Sequence, residues 1–328
     1  MSLRILLFLL CIFFMSCVTQ ARFSDIFNDK DTRISLIKIE KKDTSEVNRL
    51  NELALSLKKK GEFKKGLSLA LQANRIATKI SYKKGQIDSY INQVGLYEAL
   101  GDNLSAKESL NKGFALANKT MYKKGLVLLY RNSGVLNIVE NNYPEALDDF
   151  YKSLKIAEEI NYKQGISYAY NNMGNLNLEQ GNYSDAKKNY LNTLKLSEEL
   201  KDSFSLSYAY NNLGYLANKQ GRFTEAMDFY KKSLEIKEKT GDKRGICNVK
   251  RNIGDIKQAT GKYKAALIEY NQALNIATQI NDQKAISEIC VNLGRLNMMV
   301  KKYFDSREYL QKALNLSNKI GGKLLKIE

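Results

Sequence analysis

Apolar positions along the chain form stripes of helical spacing, and the stripes come in pairs. One stripe in the middle of the chain has the i, i+3, i+6, i+7 spacing of a single helix face: Tyr210, Leu213, Leu216 and Ala217. A second stripe follows it, made of Ala226, Phe229, Tyr230, Leu234 and Ile236. Gly221 lies between the two stripes and can adopt the left-handed conformation that ends a helix. The pattern predicts two helices joined by a tight turn.

This pair of stripes recurs every 40 residues. An Asn-x-Gly motif marks the period at Asn132/Gly134, Asn172/Gly174, Asn212/Gly214, Asn252/Gly254 and Asn292/Gly294. A small residue marks it again at Ala106, Ala146, Ala186, Ala226 and Ala266. The spacing predicts seven units, over roughly 48–80, 88–120, 128–160, 168–200, 208–240, 248–280 and 288–320. Such a period is typical of a repeat protein.

The third unit supports the position of the turn. It has Asn141 where most units have glycine, and Asn is the next most tolerant residue in the left-handed region. Pro144 follows closely, and proline is tolerated in the first turn of a helix, where its missing N–H has no intrahelical partner. The second helix of this unit is therefore predicted to begin next to Pro144.

Two motifs within each unit resemble the tetratricopeptide repeat (TPR) family. The clearest examples are Tyr210-x2-Leu213-Gly214 with Ala226-x3-Tyr230 and Tyr170-x2-Met173-Gly174 with Ala186-x3-Tyr190. The resemblance covers roughly residues 48–320 and implies an all-α solenoid, a superhelix of about seven helix-turn-helix repeats. The chain departs from the family pattern in its longer period and in Asn177 or Ala217 at the second Tyr position. The period of 40 resembles variants found in kinesin light chains, the Leu-Gly-Asn adaptors and bacterial peptide-sensing regulators.

The resemblance also implies a binding surface. In this family the first helix of each unit lines the concave side, and the Asn preceding Leu-Gly contacts bound peptides in several members. The corresponding row here is Asn92, Asn132, Asn172, Asn212, Asn252 and Asn292. Two alternative roles for the row stay open at this point. The amides could form hydrogen bonds to the neighbouring helix, or recent duplication could have copied an indifferent residue.

Further candidates for peptide contact lie beside this row. The preceding slot provides Arg131, Asn171, Asn211 and Arg251, and the position one turn onward provides Asn175, Tyr215 and Arg295. For Arg251 the alternative is an i, i+4 ion pair with Asp255.

The first 21 residues have the zones of an export signal. Arg4 precedes an apolar run over residues 5–15, and Ser16-Cys17 follows it. Phe14-Met15-Ser16-Cys17 partly resembles the bacterial lipoprotein signal, which implies lipidation of Cys17 and membrane anchoring. Cleavage near Ala21, giving a periplasmic protein, and an uncleaved anchor are the alternatives. Residues 22–47 are predicted to form an N-terminal linker.

Composition narrows the possible chemistry. The chain has no His, which excludes Ser-His-Asp and Cys-His nucleophile systems and His-ligated metals. Cys247 and Cys290 fall on predicted helices and are expected to be buried thiols. The net charge of +17 comes mostly from scattered Lys without a nucleic-acid motif, which favours anionic lipid or acidic partners over nucleic acid. We therefore expect no enzyme activity, no cofactor and no metal.

Two functions fit these features. The first is an exported, membrane-anchored scaffold that binds a peptide or protein segment in its groove. The second is the sensor portion of a bacterial signalling protein. Residues 321–328 resemble the start of an incomplete eighth repeat, which suggests dimerisation or partner binding through the C-terminal repeat.

Overall fold

The computed structural model describes residues 44–320, and within that range all regular structure is α-helical. The helices are α1 (Thr44–Lys59), α2 (Phe63–Lys79), α3 (Lys83–Leu100), α4 (Asn103–Thr120), α5 (Lys123–Val139), α6 (Tyr143–Glu159), α7 (Lys163–Glu179), α8 (Tyr183–Glu199), α9 (Ser203–Lys219), α10 (Phe223–Thr240), α11 (Lys243–Ala259), α12 (Tyr263–Gln279), α13 (Gln283–Met299) and α14 (Tyr303–Ile320). They form seven consecutive pairs. We call these repeats one to seven, so that α1 and α2 are repeat one.

The helices stack in two layers. From repeat two to repeat seven, each first helix packs against its own second helix and against the first helices of neighbouring repeats. The first helices thus form a continuous inner layer, and the second helices cover it from outside. This arrangement confirms the predicted all-α, TPR-like solenoid.

The helix pairs begin slightly before the predicted unit boundaries. Helix α1 begins at Thr44, inside the range predicted as linker, and each later first helix begins five residues before its predicted unit. In repeat one the reason is apolar burial, since Val47 is fully buried and starts the stripe that continues through Leu50.

The turns within the repeats adopt the predicted conformation. Gly221 has φ of 72° and Asn141 has φ of 61°, both in the left-handed region. Pro144 lies in the first turn of α6, as predicted. The predicted boundary between the two helices of a repeat is confirmed at these positions.

Close packing explains the glycine of the Asn-x-Gly motif. A Cβ placed on Gly174 would lie only 2.5 Å from Cε1 of Tyr190, and one on Gly254 would lie 2.5 Å from Cε1 of Tyr270. The aromatic ring on the second helix therefore fits against the first helix only where that helix has no side chain.

Several predictions concern residues outside the described range. These are the signal over 1–21 with Cys17, most of the linker over 22–47, and the eighth repeat over 321–328. Between residues 44 and 320, none of the helices combines the length and apolar content that a membrane span requires.

Candidate functional site

The inner layer contains a cavity of about 250 Å³ that is partly open to solvent. The first helices of repeats one to five supply most of its wall: Lys58 of α1, Gly95 and Glu98 of α3, Arg131 and Asn132 of α5, Ser167, Tyr168, Asn171 and Asn172 of α7, and Phe204 and Tyr208 of α9. Four of the predicted site residues therefore line one cavity, namely Arg131, Asn132, Asn171 and Asn172. The other nine predicted peptide-contact residues do not line it.

Most of the Asn row forms hydrogen bonds between neighbouring repeats. Nδ2 of Asn92 donates to the carbonyl oxygen of Asn51 at 3.0 Å, and Nδ2 of Asn132 donates to the carbonyl oxygen of Ile91 at 3.2 Å. Nδ2 of Asn252 donates to Oδ1 of Asn211 at 3.2 Å. Each acceptor lies on the first helix of the preceding repeat, so these amides tie the inner layer together.

A second acceptor position joins three helices. Oδ1 of Asn175 accepts from Nδ2 of Asn212 at 3.1 Å and from the hydroxyl of Tyr190 at 2.9 Å. Oδ1 of Asp255 accepts in the same way from Nδ2 of Asn292 at 2.9 Å and from the hydroxyl of Tyr270 at 2.7 Å. Asn175 therefore acts as a link between helices, and Asn212 also donates to Oδ1 of Asn171 at 2.9 Å.

Asn172 differs from the rest of the row. It lines the cavity, yet its amide forms no hydrogen bond with any other residue of the described range. Hydrogen bonding between neighbouring repeats thus accounts for five members of the row. The side-chain amide of Asn172 remains available to a ligand in the cavity.

Arg131 and Arg251, two of the predicted peptide-contact residues, have different partners in the structure. The guanidinium of Arg131 lies 5.0 Å from the centre of the Tyr168 ring and donates to Oδ1 of Asn132 at 3.0 Å. Arg251 forms an ion pair with Glu288 of repeat seven, instead of the i, i+4 pair with Asp255 weighed from the sequence. The next repeat brings Glu288 onto Arg251, a proximity that spacing along one helix does not show.

The remaining two candidates lie towards the C-terminal part of the inner layer. The Tyr215 ring has Nζ of Lys219 at 5.3 Å from its centre. Arg295 is exposed on α13. Neither contacts the cavity.

Twelve of the sixteen lining residues were not among the sequence candidates, and the charged or aromatic ones of these are Lys58, Glu98, Tyr168, Phe204 and Tyr208. Tyr168 and Tyr208 lie one helical turn before Asn172 and Asn212, so their 40-residue spacing on the same face was a usable signal. Lys58 and Glu98 are also 40 residues apart, but they share neither charge nor residue type. Their common position in the cavity becomes visible only once the repeats are stacked.

The cavity carries cationic groups that lack carboxylate partners. Lys58 forms no ion pair or hydrogen bond with another residue of the described range, and its Nζ lies directly over Gly95. Burial lowers the pKa of Lys58 to about 8, with smaller contributions from Arg131 and Arg244 and an opposing one from Glu98. Arg131 also has no carboxylate partner among the described residues. A ligand carboxylate would therefore enter a site with two cations and one anion.

A buried ion pair lies behind the cavity wall. Nζ of Lys237 is 3.1 Å from Oδ2 of Asp242, and both side chains are almost fully buried. The same Nζ lies 3.5 Å from the centre of the Tyr208 ring. Burial, followed by the charge of Asp242, raises the pKa of Tyr208, which therefore stays a neutral phenol in the cavity wall.

The two thiols of the described range have a structural environment. Cys247 and Cys290 are free and buried, which confirms the prediction for them. Sγ of Cys247 donates to the carbonyl oxygen of Ala273 at 3.4 Å, and burial raises its pKa to about 12. Within residues 44–320, no cluster of three or more Cys, Asp or Glu side chains is arranged to hold a metal ion.

Comparisons with known proteins agree with this architecture. Residues 126–203 and 204–279 match the tetratricopeptide repeat family. No curated protein is significantly similar to the chain in sequence.

Several solved structures share the fold. The Rap conjugation gene regulator of the plasmid pLS20, in complex with the Phr* peptide, has a TM-score of 0.68 at 17% identity, over 84% of this chain and 75% of that one. A Rap protein complexed with competence and sporulation factor has a TM-score of 0.62 at 14% identity, over 85% of this chain and 78% of that one.

A third similar structure is a signal transduction ATPase with numerous domains, which has a tetratricopeptide repeat sensor and comes from Pyrococcus horikoshii. Its TM-score is 0.52 at 17% identity, over 84% of this chain and 43% of that one. The described chain is therefore a TPR-like α-solenoid whose central repeats, residues 126–279, match the tetratricopeptide repeat family.

Proposed function

We propose that the chain is a binding scaffold that holds an extended, acidic peptide or protein segment along the inner layer. The observation that carries this proposal is a set of cavity groups that lack an ion-pair partner or, for Asn172, a hydrogen-bond partner within the described residues. Lys58 and Arg131 have no carboxylate partner, and Asn172 has no hydrogen-bond partner, among the described residues. The complex of the similar Rap conjugation gene regulator with the Phr* peptide supports a peptide ligand.

Charge and aromatic surface supply most of the affinity. A single amide contributes about 1 kcal/mol per hydrogen bond, so Asn172 alone holds a peptide weakly. The rings of Tyr168, Phe204 and Tyr208 line the same cavity and offer apolar contact to ligand side chains. Lys58 and Arg131 outnumber Glu98 and so favour a ligand with Asp or Glu side chains.

The division of the Asn row gives a test with a matched pair of variants. Linear peptides are first selected on the full chain from a random display library, and acidic sequences are the expected outcome. Asn172→Ala then weakens binding of a selected peptide by about fivefold and leaves the melting temperature unchanged, because its amide supports no other residue. Asn212→Ala lowers the free energy of unfolding by about 1–2 kcal/mol, because it breaks bonds to Asn171 and Asn175.

Titration calorimetry and thermal unfolding measure the two effects. If the selected peptides show no preference for Asp or Glu, the proposed preference for acidic ligands is contradicted. If the Asn172→Ala variant binds the peptide as tightly as the wild type does, the peptide does not bind in the cavity.

We further propose that the scaffold is exported and anchored through a lipid on Cys17. This proposal rests on residues 1–21, which lie outside the described range. Metabolic labelling with palmitate is expected for the wild type and not for Cys17→Ala. Equal labelling of the two proteins contradicts it.

The sensor portion of a signalling protein is the second candidate function. The Pyrococcus horikoshii protein with a tetratricopeptide repeat sensor favours it.

Self-association through repeat seven is a related proposal, since Tyr303 and Phe304 are 65% and 74% exposed there. Sedimentation at increasing protein concentration tests it, and a monomer at all concentrations contradicts it.

A further inference from the structure

Repeat one contacts repeats that are distant in sequence. A Cβ placed on Gly61, in the turn of repeat one, would lie 2.9 Å from Cβ of Ile280, which follows α12 of repeat six. The corresponding turn glycines Gly181 and Gly221 have open space within 4 Å of the same position. The turn of repeat one is therefore packed against repeat six, whereas these two turns face away from other repeats.

Burial of two side chains confirms that this contact is special. Phe63 is 4% exposed, whereas Tyr183, at the same position of repeat four, is 37% exposed. Ile280 is 8% exposed, whereas Leu200, at the same position two repeats earlier, is 38% exposed. The apolar surface of Phe63 and Ile280 is removed from water by the approach of repeat one to repeat six.

A positioned arginine holds Phe63 from the other side. The guanidinium of Arg244, on α11, lies 5.1 Å from the centre of the Phe63 ring. Nε of Arg244 is 3.1 Å from Oδ2 of Asp282, so the two side chains form an ion pair. The contact thus combines apolar burial with a cation held over an aromatic ring.

The same end of repeat one closes the cavity. Nζ of Lys59 lies 4.5 Å from the centre of the Phe204 ring, on α9. Phe204 lines the cavity, and so does Lys58, the residue before Lys59. We call the contacts made by Lys59, Gly61 and Phe63 with Phe204, Arg244 and Ile280 the seam. The seam therefore borders the candidate binding site, which it meets at Phe204.

We propose that the seam is a gate, which opens to admit a ligand segment to the cavity and closes over it. In a solenoid each repeat is held by stacking on its sequence neighbours. The seam joins repeats that are not neighbours, so it can open while every neighbour interface stays intact. The cavity of about 250 Å³ lies just below the usual range for ligand pockets, and opening of the seam would give a peptide segment more room. The gate proposal depends on the proposed function in one respect, which is that this cavity is the binding site.

Thiol labelling tests the gate without any peptide ligand. Cys11, Cys17, Cys247 and Cys290 are first replaced, with serine at 247 as in the neighbouring repeats, and Asn172→Cys places one thiol in the cavity of the full chain. A small methanethiosulfonate reports accessibility of the site, and a bulky polymer-linked maleimide reports opening of the gate.

Phe63→Ala weakens the seam and is expected to increase the bulky-reagent rate on the order of tenfold, by raising the open population. The small-reagent rate changes little, because small molecules enter the closed form. Lys59→Gln gives a smaller increase in the same direction, and since its side chain is exposed it leaves folding intact. Tyr183→Ala is the matched control. It removes the aromatic side chain at the position in repeat four that corresponds to Phe63, outside the seam, and it is expected to leave both labelling rates unchanged.

Equal bulky-reagent rates in the wild type, Phe63→Ala and Lys59→Gln overturn the gate. So does an equal increase in Tyr183→Ala, which would indicate general loosening of the solenoid. Failure of the peptide selection leaves these rates unaffected and counts against the proposed function alone.

Discussion

Replacing Asp242 by alanine lowers the free energy of unfolding by about 3–5 kcal/mol, because it leaves the buried ammonium of Lys237 without a counter-ion. Nζ of Lys237 is 3.1 Å from Oδ2 of Asp242, and the two side chains are 1% and 3% exposed. Asp242 also caps α11, since its Oδ1 accepts a hydrogen bond from the backbone N–H of Gly245 at 2.9 Å. The variant loses both interactions, and chemical denaturation measures the sum.

Asp202 separates the two contributions. It caps α9 at the same position one repeat earlier, where Ser197 replaces the lysine. Asp202→Ala therefore loses the cap and the hydrogen bonds from Gln164 and the Ser205 hydroxyl, but it leaves no buried charge unpaired. A loss of about 1 kcal/mol is expected there. Adding Lys237→Ser to Asp242→Ala removes the uncompensated charge and restores part of the loss. The remainder consists of the cap contribution and the packing of the buried Lys237 methylenes. Equal losses for Asp202→Ala and Asp242→Ala would show that the ion pair adds nothing to the cap.

The pH dependence of this variant follows from Lys237. Burial lowers the pKa of Lys237 in the folded protein, and Asp242 opposes that effect. The unfolded chain therefore binds more protons between the lowered pKa and the ordinary lysine value, and stability rises with pH in that window. Asp242→Ala lowers the folded pKa further. Its stability deficit is therefore expected to shrink as the pH rises towards the ordinary lysine pKa.

Removing one tyrosine hydroxyl is expected to have opposite effects in repeats five and six. The hydroxyl of Tyr230 is buried and has no hydrogen-bond partner in the described range. The hydroxyl of Tyr270, at the same position of the next repeat, donates to Oδ1 of Asp255 at 2.7 Å and lies 3.0 Å from the side-chain amide of Gln258. Tyr230→Phe raises the free energy of unfolding by about 1 kcal/mol, whereas Tyr270→Phe lowers it by about 1.5–3 kcal/mol.

Neighbouring repeats provide controls for this pair. Phe150 of repeat three shows that the position accepts a ring without a hydroxyl, and Tyr190→Phe loses the single bond to Asn175. An intermediate loss is expected for Tyr190→Phe. A Tyr230→Phe variant less stable than the wild type would contradict the unpaired state of that hydroxyl.

The fold was accessible from the sequence because each signal was local. Apolar stripes, the left-handed residues Gly221 and Asn141, and Pro144 each specify a helix or its end within a few residues. The fixed period then requires the pairs to stack, since one pair cannot bury its apolar face alone.

The candidate site was accessible only in part because it depends on stacking. The Asn row was predictable as a set, but its members find acceptors either 41 or 37 residues away, as Asn252 and Asn292 do. The choice of acceptor depends on the side chains of the preceding repeat. The 40-residue spacing alone therefore could not show that Asn172, unlike the other amides of the row, forms no hydrogen bond between repeats. The contact of Lys59 with Phe204 depends on solenoid curvature, which no single repeat encodes.

Hydrogen exchange with and without a selected acidic peptide tests the central claim most directly, because it locates the ligand on the unmodified chain. Slower exchange is expected in the cavity-lining parts of α5 and α7, around Arg131 and Asn172, with little change in the outer helices α6 and α8. Protection confined to the outer helices or to α14, with α5 and α7 unchanged, would contradict binding in the inner cavity.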